Sequence, residues 1–281
     1  MIKVTNITNL AQVYDYQMRW SAPNFFPTEF SVWKESFEND ADGEGRQLFR
    51  QLRTKTAYEG DRLIGFVQYG NTAFGFDAQG EISNQVSYPV IRSLYFDEGR
   101  EDAGKLLLQA AIEELEAGQT VYAFFHYFGM RCFARHGKLF EHFPWIAELL
   151  HAAGFGVEHE NVYYSAPVQE SADAEVALTV HDLSKGGQQV VDFMLEDTQI
   201  GGCEVHYVNP NTAYLRWIYV NEELQNQGIG SKCMTALKNH LRKQGITRLD
   251  TDTALDNLRA QRYYEKNGFT REGITRSYLT K

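Results

Sequence analysis

The sequence predicts a mixed α/β (α+β) fold of two domains, each a mostly antiparallel mixed sheet flanked by helices. Three observations lead to this prediction. The chain has 281 residues, 43% of them apolar and 14% aromatic, which is enough to build two cores. Near the carboxyl end, an apolar stretch is followed by a glycine-containing turn and an amphipathic helix. A weaker copy of that order of elements occurs in the amino-terminal half, which indicates an internal duplication.

The elements of the carboxyl-terminal half follow from apolar periodicity and from turn residues. Strands are predicted at 176–180, 188–195, 203–208 and 214–220. A helix follows from Gly228, because apolar residues recur at every fourth position, and Gly245 supplies its end. A strand at 248–253, a helix at 256–267 and a closing strand at 269–278 complete this half.

The amino-terminal half shows the same plan with altered residues. Strands are predicted at 57–69 (a hairpin), 90–96 and 121–125, a helix at 102–116, and a final segment at 145–155. The turn before the helix contains Glu101 and Asp102, whose carboxylates would face a bound phosphate. We therefore predict a first domain at 1–167, a polar linker at 168–175 and a second domain at 176–281.

The strongest local motif is the Q-x-x-G-x-G run between the predicted strand and helix. Gly228 and Gly230 allow the backbone to approach an anion closely, and the free N–H groups at the start of the helix point at it. The motif predicts a phosphate-binding turn. Its residues are Gln225, Asn226, Gln227, Gly228, Ile229, Gly230 and Ser231.

A second motif follows on the next predicted helix and fits N-x-x-A-x-x-(F/Y)-Y-x-K-x-G-F at every named position. It consists of Asn257, Ala260, Tyr263, Tyr264, Lys266, Gly268 and Phe269. Together the two motifs resemble the GNAT (GCN5-related N-acetyltransferase) family over roughly residues 200 to 281. The resemblance implies a tandem GNAT arrangement, with a catalytic domain at 176–281 and a degenerate amino-terminal copy at 1–167 that serves as a scaffold. A second coenzyme site in the first domain stays open as an alternative.

The resemblance also implies how acetyl-CoA, a cosubstrate, would bind. Its pantetheine arm would lie along the strand residues Ile218, Tyr219 and Val220, and the turn from Gln225 to Ser231 would hold the pyrophosphate. Asn257 would steady the coenzyme arm, although an Asn at a helix start is also a common N-cap.

For the chemical step, Tyr264 is the predicted general acid that protonates the departing thiolate, because a phenol is protonated at neutral pH. The alternative is a packing tyrosine. In histone-type relatives, a glutamate on the strand before the glycine turn acts as the general base. The corresponding residue here is Tyr214, which cannot act as such a base. Glu204 is therefore the candidate general base, with His206 and Glu222 as alternatives, and transfer through water needs none of them.

The predicted catalytic domain is short on its acceptor side. Only 182–187 separate its first two strands, where the family usually has two helices that wall the acceptor pocket. We expect the amino-terminal domain to supply that wall.

Composition narrows the class of protein. A formal net charge of −10 and the absence of Lys/Arg clusters disfavour nucleic-acid binding. No stretch is long and apolar enough for a membrane span, and no export signal is recognised, so a cytoplasmic protein is expected. Three widely spaced cysteines argue against a disulfide framework and a metal site.

Three function classes fit these observations. The first is an acyl-CoA dependent N-acyltransferase acting on an amine of a small molecule or peptide. The second is a noncatalytic acyl-CoA sensor, which would not need Tyr264. The third is an interaction protein that keeps only the fold, and a homodimer is compatible with each.

Overall fold

The computed structural model describes residues 1–42, 45–115, 118–130, 132, 137–169, 171, 175–183 and 187–280. Its helices are α1 (Leu10–Gln17), α2 (Phe30–Asn39), α3 (Glu101–Glu114), α4 (Pro144–Ala152), α5 (Ile229–Lys243) and α6 (Leu258–Lys266). Its strands are β1 (Ile2–Asn6), β2 (Phe49–Glu59), β3 (Arg62–Thr72), β4 (Gly75–Phe76), β5 (Ile82–Ser83), β6 (Pro89–Phe96), β7 (Tyr122–Ala123), β8 (Leu139–Phe140), β9 (Phe155–Pro167), β10 (Ala177–Leu183), β11 (Gln188–Leu195), β12 (Thr198–Asn209), β13 (Thr212–Val220), β14 (Arg248–Ala254) and β15 (Thr270–Thr280).

The chain forms two compact units. Among the described residues, unit 1 contains the chain up to Glu160, except Asp42 and Gly45, and takes up the chain again from Thr275. Unit 2 contains the rest, which is essentially Asn161 to Ile274.

Unit 1 is a mostly antiparallel sheet in the order β1, β2, β3, β6, β7, β15, β9. Of the last two strands, only residues 275–280 of β15 and 155–160 of β9 belong to unit 1. Among the β1–β2, β2–β3, β3–β6, β6–β7 and β7–β15 ladders, only β6–β7 is parallel. Helix α3 packs on β3 and β6, and α1 packs on β3. Because β3 and β6 are buried along nearly their whole length, they are the centre of this core.

Unit 2 is a second mixed sheet in the order β9, β14, β13, β12, β11, β10, to which β9 contributes 161–167. Its β13–β14 ladder is parallel and its other ladders are antiparallel. Helix α5 buries Cys233, Leu237 and Leu241, which belong to one hydrophobic cluster with side chains of the sheet such as Val205 and Leu215. The four-residue apolar period predicted from the sequence is therefore the buried face of α5.

The predicted fold class is confirmed: both units are mixed, mostly antiparallel sheets with helices. The strand at 90–96 and the helices at 228 and 256 are found close to their predicted bounds. The hairpin predicted at 57–69 is formed by β2 and β3, but β2 begins well before the predicted start, at Phe49. Two helices and a strand before residue 49, namely α1, α2 and β1, were not predicted. The predicted helix at 102–116 ends at Glu114, and residue 116 lies outside the described ranges.

The predicted domain ends differ from the unit boundaries. The boundary falls at Glu160 and Asn161, inside β9, rather than at the predicted linker. Of that linker, residues 170 and 172–174 lie outside the described ranges. The closing segment 275–280 belongs to unit 1 and not to the predicted catalytic domain, because it pairs with β7 and β8. The unit boundaries therefore follow the pairing of strands that are distant in sequence, and not the order of the motifs along the chain.

The short connection on the acceptor side of unit 2 is a β-hairpin. Strand β10 pairs with β11 from Ala177 and Met194 to Leu183 and Gln188. Residues 184–186 of the predicted gap lie outside the described ranges. The described part of this connection contains no helix, whereas unit 1 has α1 and α2 between its first two strands.

Candidate functional site

The candidate site begins where β13 and β14 separate. Their parallel ladder ends at the pair Leu215 and Thr251, although β13 continues to Val220 and β14 to Ala254. The Thr251 hydroxyl donates to the Leu215 carbonyl at 2.9 Å and closes the end of the ladder. Beyond this point the facing backbone edges diverge, which opens a split in the sheet with main-chain groups along β13.

The strand residues predicted to bind coenzyme lie along this split. Ile218 and Val220 pack partly against the core of unit 2, and Tyr219 points to the opposite face with 48% of its surface exposed. The Gln225 amide Nε2 donates to the Val220 carbonyl at 2.6 Å, so Gln225 ties the following turn to the end of the strand. Arg259 in turn donates to the Gln225 amide oxygen.

The turn before α5 has the backbone geometry of an anion site. Asn226 and Gly228 both have positive φ angles, 63° and 82°. Gly228 is the N-cap of α5, and no side chain caps this end by a hydrogen bond. A Cβ on Gly228 would meet nothing within 4 Å, so glycine is suited here by its conformation and not by a lack of space. The first N–H groups of α5 are thus open to a ligand, and the helix dipole favours an anion.

The remaining residues of the turn stabilise its shape. The Gln227 side chain donates to the Glu223 carbonyl at 2.7 Å. The Ser231 amide donates to the Gly228 carbonyl at 3.1 Å, which begins the helix. Ile229 packs partly into the core below.

Gly230 has a packing role that was not predicted. A Cβ here would lie 3.1 Å from Cε2 of Tyr263, and the Tyr263 hydroxyl donates to the Gly230 carbonyl at 2.8 Å. The missing side chain lets α6 approach the first turn of α5. Close helix packing therefore favours glycine at this position, and the approach of its backbone to an anion stays a prediction.

Tyr264 lies at the base of the split. It is only 5% exposed, packs against Tyr164 and Phe269, and lies close to the side chain of Thr251, the last residue of β14 that pairs with β13. Burial raises the pKa of the Tyr264 phenol, although the Thr251 contact opposes the shift. The phenol is therefore protonated at neutral pH, as a general acid must be.

Asn257 begins α6. Its side-chain oxygen accepts from the Ala260 amide at 3.2 Å, which is an N-cap hydrogen bond. The structure thus shows the capping role for Asn257. The coenzyme-steadying role stays a prediction for its exposed side chain.

Glu204 is poorly suited to the predicted role of general base. Its carboxylate is hydrogen-bonded to His206 at 2.5 Å, accepts from Arg216 Nη1 at 3.1 Å through both oxygens, and accepts from the Trp217 indole at 2.7 Å. Burial alone would raise the pKa of Glu204, but the His206 hydrogen bond and the Arg216 charge lower it to about 2. Such a carboxylate has little tendency to take a proton. Its contacts instead fix Arg216 and the half-exposed Trp217.

The structure places a polar cluster beside the split that was not predicted. Asp250 and Asp252 lie on the same face of β14, because side chains alternate along a strand. The Asp250 carboxylate accepts from the Tyr163 hydroxyl and from Arg248 Nε, each at 2.8 Å. Burial raises the pKa of the Tyr214 phenol, and the nearby charge of Asp252 raises it further. The D-T-D sequence at 250–252, polar in a buried strand, is the signal that could have revealed this cluster.

The corresponding position in unit 1 is built differently. The β6–β7 ladder ends at Ile91 and Ala123 while β6 runs on to Phe96, but the Trp145 indole donates to the Phe96 carbonyl at 3.1 Å. At the start of α3, the Asp102 carboxylate accepts from the Ala103 amide at 2.8 Å. The start of α3 is thus contacted by a carboxylate, whereas no side chain caps the start of α5.

The described ranges contain neither a membrane-spanning helix nor a metal-binding cluster. No described helix combines the length and apolar character that a bilayer crossing requires. No group of three or more His, Cys, Asp or Glu side chains in the described part of the chain is arranged to hold a metal ion.

Comparison with known proteins adds a family to this geometry. Residues 156–269 match the model of the acetyltransferase (GNAT) family. No curated protein matches the sequence.

Solved structures resemble the whole chain. A tandem GNAT protein from the clavulanic acid biosynthesis pathway, without AcCoA, has a TM-score of 0.69 at 13% identity over 100% of this chain and 98% of its own. A GCN5-related glucosamine N-acetyltransferase region of a fungal multi-domain GH3 β-N-acetylglucosaminidase has a TM-score of 0.65 at 11% identity, over 99% of this chain and 38% of that one. A GNAT-family acetyltransferase from Colwellia psychrerythraea has a TM-score of 0.53 at 13% identity, over 99% and 98%.

At these identities the structural likeness establishes the fold alone. The family model covers the turn, the split and all but the end of unit 2. Residues 156–269 therefore match the acetyltransferase (GNAT) family, and the chain as a whole has the tandem GNAT fold that its two motifs led us to expect.

Proposed function

We propose that this chain is an N-acyltransferase that moves the acetyl group of acetyl-CoA to an amine by direct attack on the thioester. The observation that carries the proposal is the coincidence of three features at one place in unit 2. These are the split between β13 and β14, the uncapped start of α5 and the buried phenol of Tyr264.

The residues present fit acetyl-CoA. The positive φ at Gly228 and the open N–H groups at the start of α5 suit a pyrophosphate. The edge of β13 at Ile218 and Val220 suits an amide-containing arm, which would pair as an added strand. When bound, acetyl-CoA supplies an activated acyl group and a thiol leaving group.

Tyr264 is proposed to hold the proton that the departing sulfur needs. The phenol is positioned by Thr251 and screened from solvent by the aromatic rings of Tyr164 and Phe269. Because burial raises its pKa, it keeps this proton until a thiolate forms beside it.

The first experiment is calorimetry with acetyl-CoA, followed by thiol release with a panel of amines that includes polyamines, amino sugars, aminoglycosides, amino acids and a short peptide. We expect one or more amines to accelerate thiol release. Binding without any acceleration would favour the acyl-CoA sensor, and no binding would favour the interaction protein.

The variant Tyr264→Phe tests the acid. We expect turnover to fall about 100-fold, because general-acid catalysis contributes on this scale, while the Kd for acetyl-CoA stays within about twofold. Tyr164→Phe is the matched control, since that hydroxyl donates to Glu265 at 3.1 Å and has no part in the proposal. Unchanged turnover in Tyr264→Phe would remove the acid assignment.

We also propose the compartment in which the enzyme works and the class of acceptor on which it acts. All three cysteines are buried free thiols, which agrees with a reducing compartment such as the cytoplasm. The acceptor is proposed to be a small-molecule amine or a peptide, and the proposed enzyme uses no metal or nucleic acid.

A further inference from the structure

Strand β14 presents a carboxylate at the split that the site described so far does not use. Thr251, the last residue paired with β13, directs its side chain to Tyr264. Its neighbour Asp252 therefore points to the opposite face of the sheet, since successive side chains alternate. Tyr264 and Asp252 thus approach the same split from its two faces.

Asp252 is the more accessible of the two carboxylates on this face. Asp250 is fully buried and bound by Tyr163 and Arg248, whereas Asp252 is half-buried. Three phenols lie near Asp252: Tyr163 opposite it on β9, Tyr214 on β13 and Tyr264 on α6. Burial raises the pKa of each phenol, and the charge of Asp252 raises it further.

Neutral phenols leave Asp252 as the proton acceptor of this group. Asp250 is the other titratable group on the same face of β14, and the Arg248 guanidinium interacts with it. Glu204 is held by its own three partners and is a poor base. We propose that Asp252 is the general base that deprotonates the amine acceptor.

The assignment rests on the proposed function and completes its chemistry. An ammonium acceptor gives one proton to the Asp252 carboxylate, and its nitrogen lone pair then forms a C–N bond at the thioester carbonyl. The C–S bond breaks, the sulfur takes the Tyr264 phenol proton, and the phenolate takes the second proton from the acylated nitrogen. Asp252 returns its proton to water, so one proton is released and no other reagent is consumed.

The test compares Asp252→Asn with wild type, using the best acceptor of the amine panel. We expect turnover near pH 7 to fall about 100-fold or more, with the Kd for acetyl-CoA within about twofold of wild type. The deficit should shrink as pH rises above the pKa of the amine, because a neutral amine needs no base. Asp252→Glu, which keeps a carboxylate, should recover part of the activity.

Asp192→Asn is the matched control. Asp192 lies on β11 of the same sheet and is bonded to His181 and Gln199, away from the split, so this variant should keep wild-type turnover. A loss in Asp252→Asn that is equal at every pH, or no loss, would overturn the proposal.

A second readout does not require an amine. Hydrolysis of acetyl-CoA, with water as acceptor, should also slow in Asp252→Asn, and in wild type it should fall as pH is lowered. Equal hydrolysis in the two proteins would count against Asp252. Failure of wild type to bind acetyl-CoA would instead overturn the proposed function, and the role of Asp252 with it.

Discussion

Replacing Glu204 by Gln should destabilise the protein in a way that depends on pH. The substitution keeps the size of the side chain but removes the charge that Arg216 and His206 contact. A pKa lowered from 4.5 to about 2 corresponds to about 3 kcal/mol, since one pKa unit is worth about 1.4 kcal/mol. Arg216 is 42% exposed, so solvent screening reduces the expected loss to about 1–2 kcal/mol near neutral pH.

The sign of the pH effect follows from the lowered pKa. Because the folded state holds the Glu204 carboxylate ionised, the stabilisation is fully present above 4.5 and is lost as pH falls through about 2. The free energies of unfolding of wild type and Glu204→Gln should therefore converge as pH falls from about 6 to about 2.

Urea denaturation followed by circular dichroism at a series of pH values measures this difference. Glu265→Gln is the control, because Glu265 is an exposed carboxylate that accepts one hydrogen bond from Tyr164, and it should change stability by less than about 0.5 kcal/mol. Equal stability of Glu204→Gln and wild type near pH 7 would refute the reasoning. So would a stable variant that has lost acyl transfer, because Glu204 would then be the base.

Two further predictions follow from close contacts and from burial. Gly230→Ala should weaken the packing of Tyr263 on α5, since the new Cβ lies 3.1 Å from that ring, whereas the Cβ of Gly228→Ala meets no atom and should cost about 1–2 kcal/mol through the positive φ alone. Thermal unfolding of Gly230→Ala in Tyr263→Phe and Tyr263→Leu backgrounds tests the packing cause, because only phenylalanine keeps the ring. An equal effect of Gly230→Ala in the two backgrounds would contradict the packing explanation. The native protein should react with a thiol reagent only after unfolding, because burial raises the pKa of all three cysteines; rapid reaction of the folded protein near pH 8 would disprove this.

Local patterns predicted the parts of the site that lie close together in sequence. The strand before Gln225, the turn at Gly228 and the helix to Lys243 follow from apolar period and backbone requirements within a short segment. The position of Tyr264 on the next helix follows from a motif of similar length. These features depend on neighbours along the chain, so sequence alone suffices for them.

Features that depend on contacts between distant residues were missed. Glu204 has the residue type of a base, but its pKa is lowered by His206 on the same strand and by Arg216 and Trp217 on the neighbouring strand. Asp252 became a candidate only when strand register placed it at the end of a ladder. Gly230 could be explained only after Tyr263 was located beside it. In each case, a partner that no local pattern identifies decides the role.

The position of residues 275–280 in the sheet of unit 1 has a consequence for biosynthesis. Residues 275–280 lie between β7 and β9 in its sheet, and Thr280 exchanges hydrogen bonds with Val121. A nascent chain on the ribosome therefore cannot close this sheet until unit 2 has been translated. The half that is made first finishes folding last, and a fragment that stops at Glu160 would expose two unpaired strand edges to aggregation.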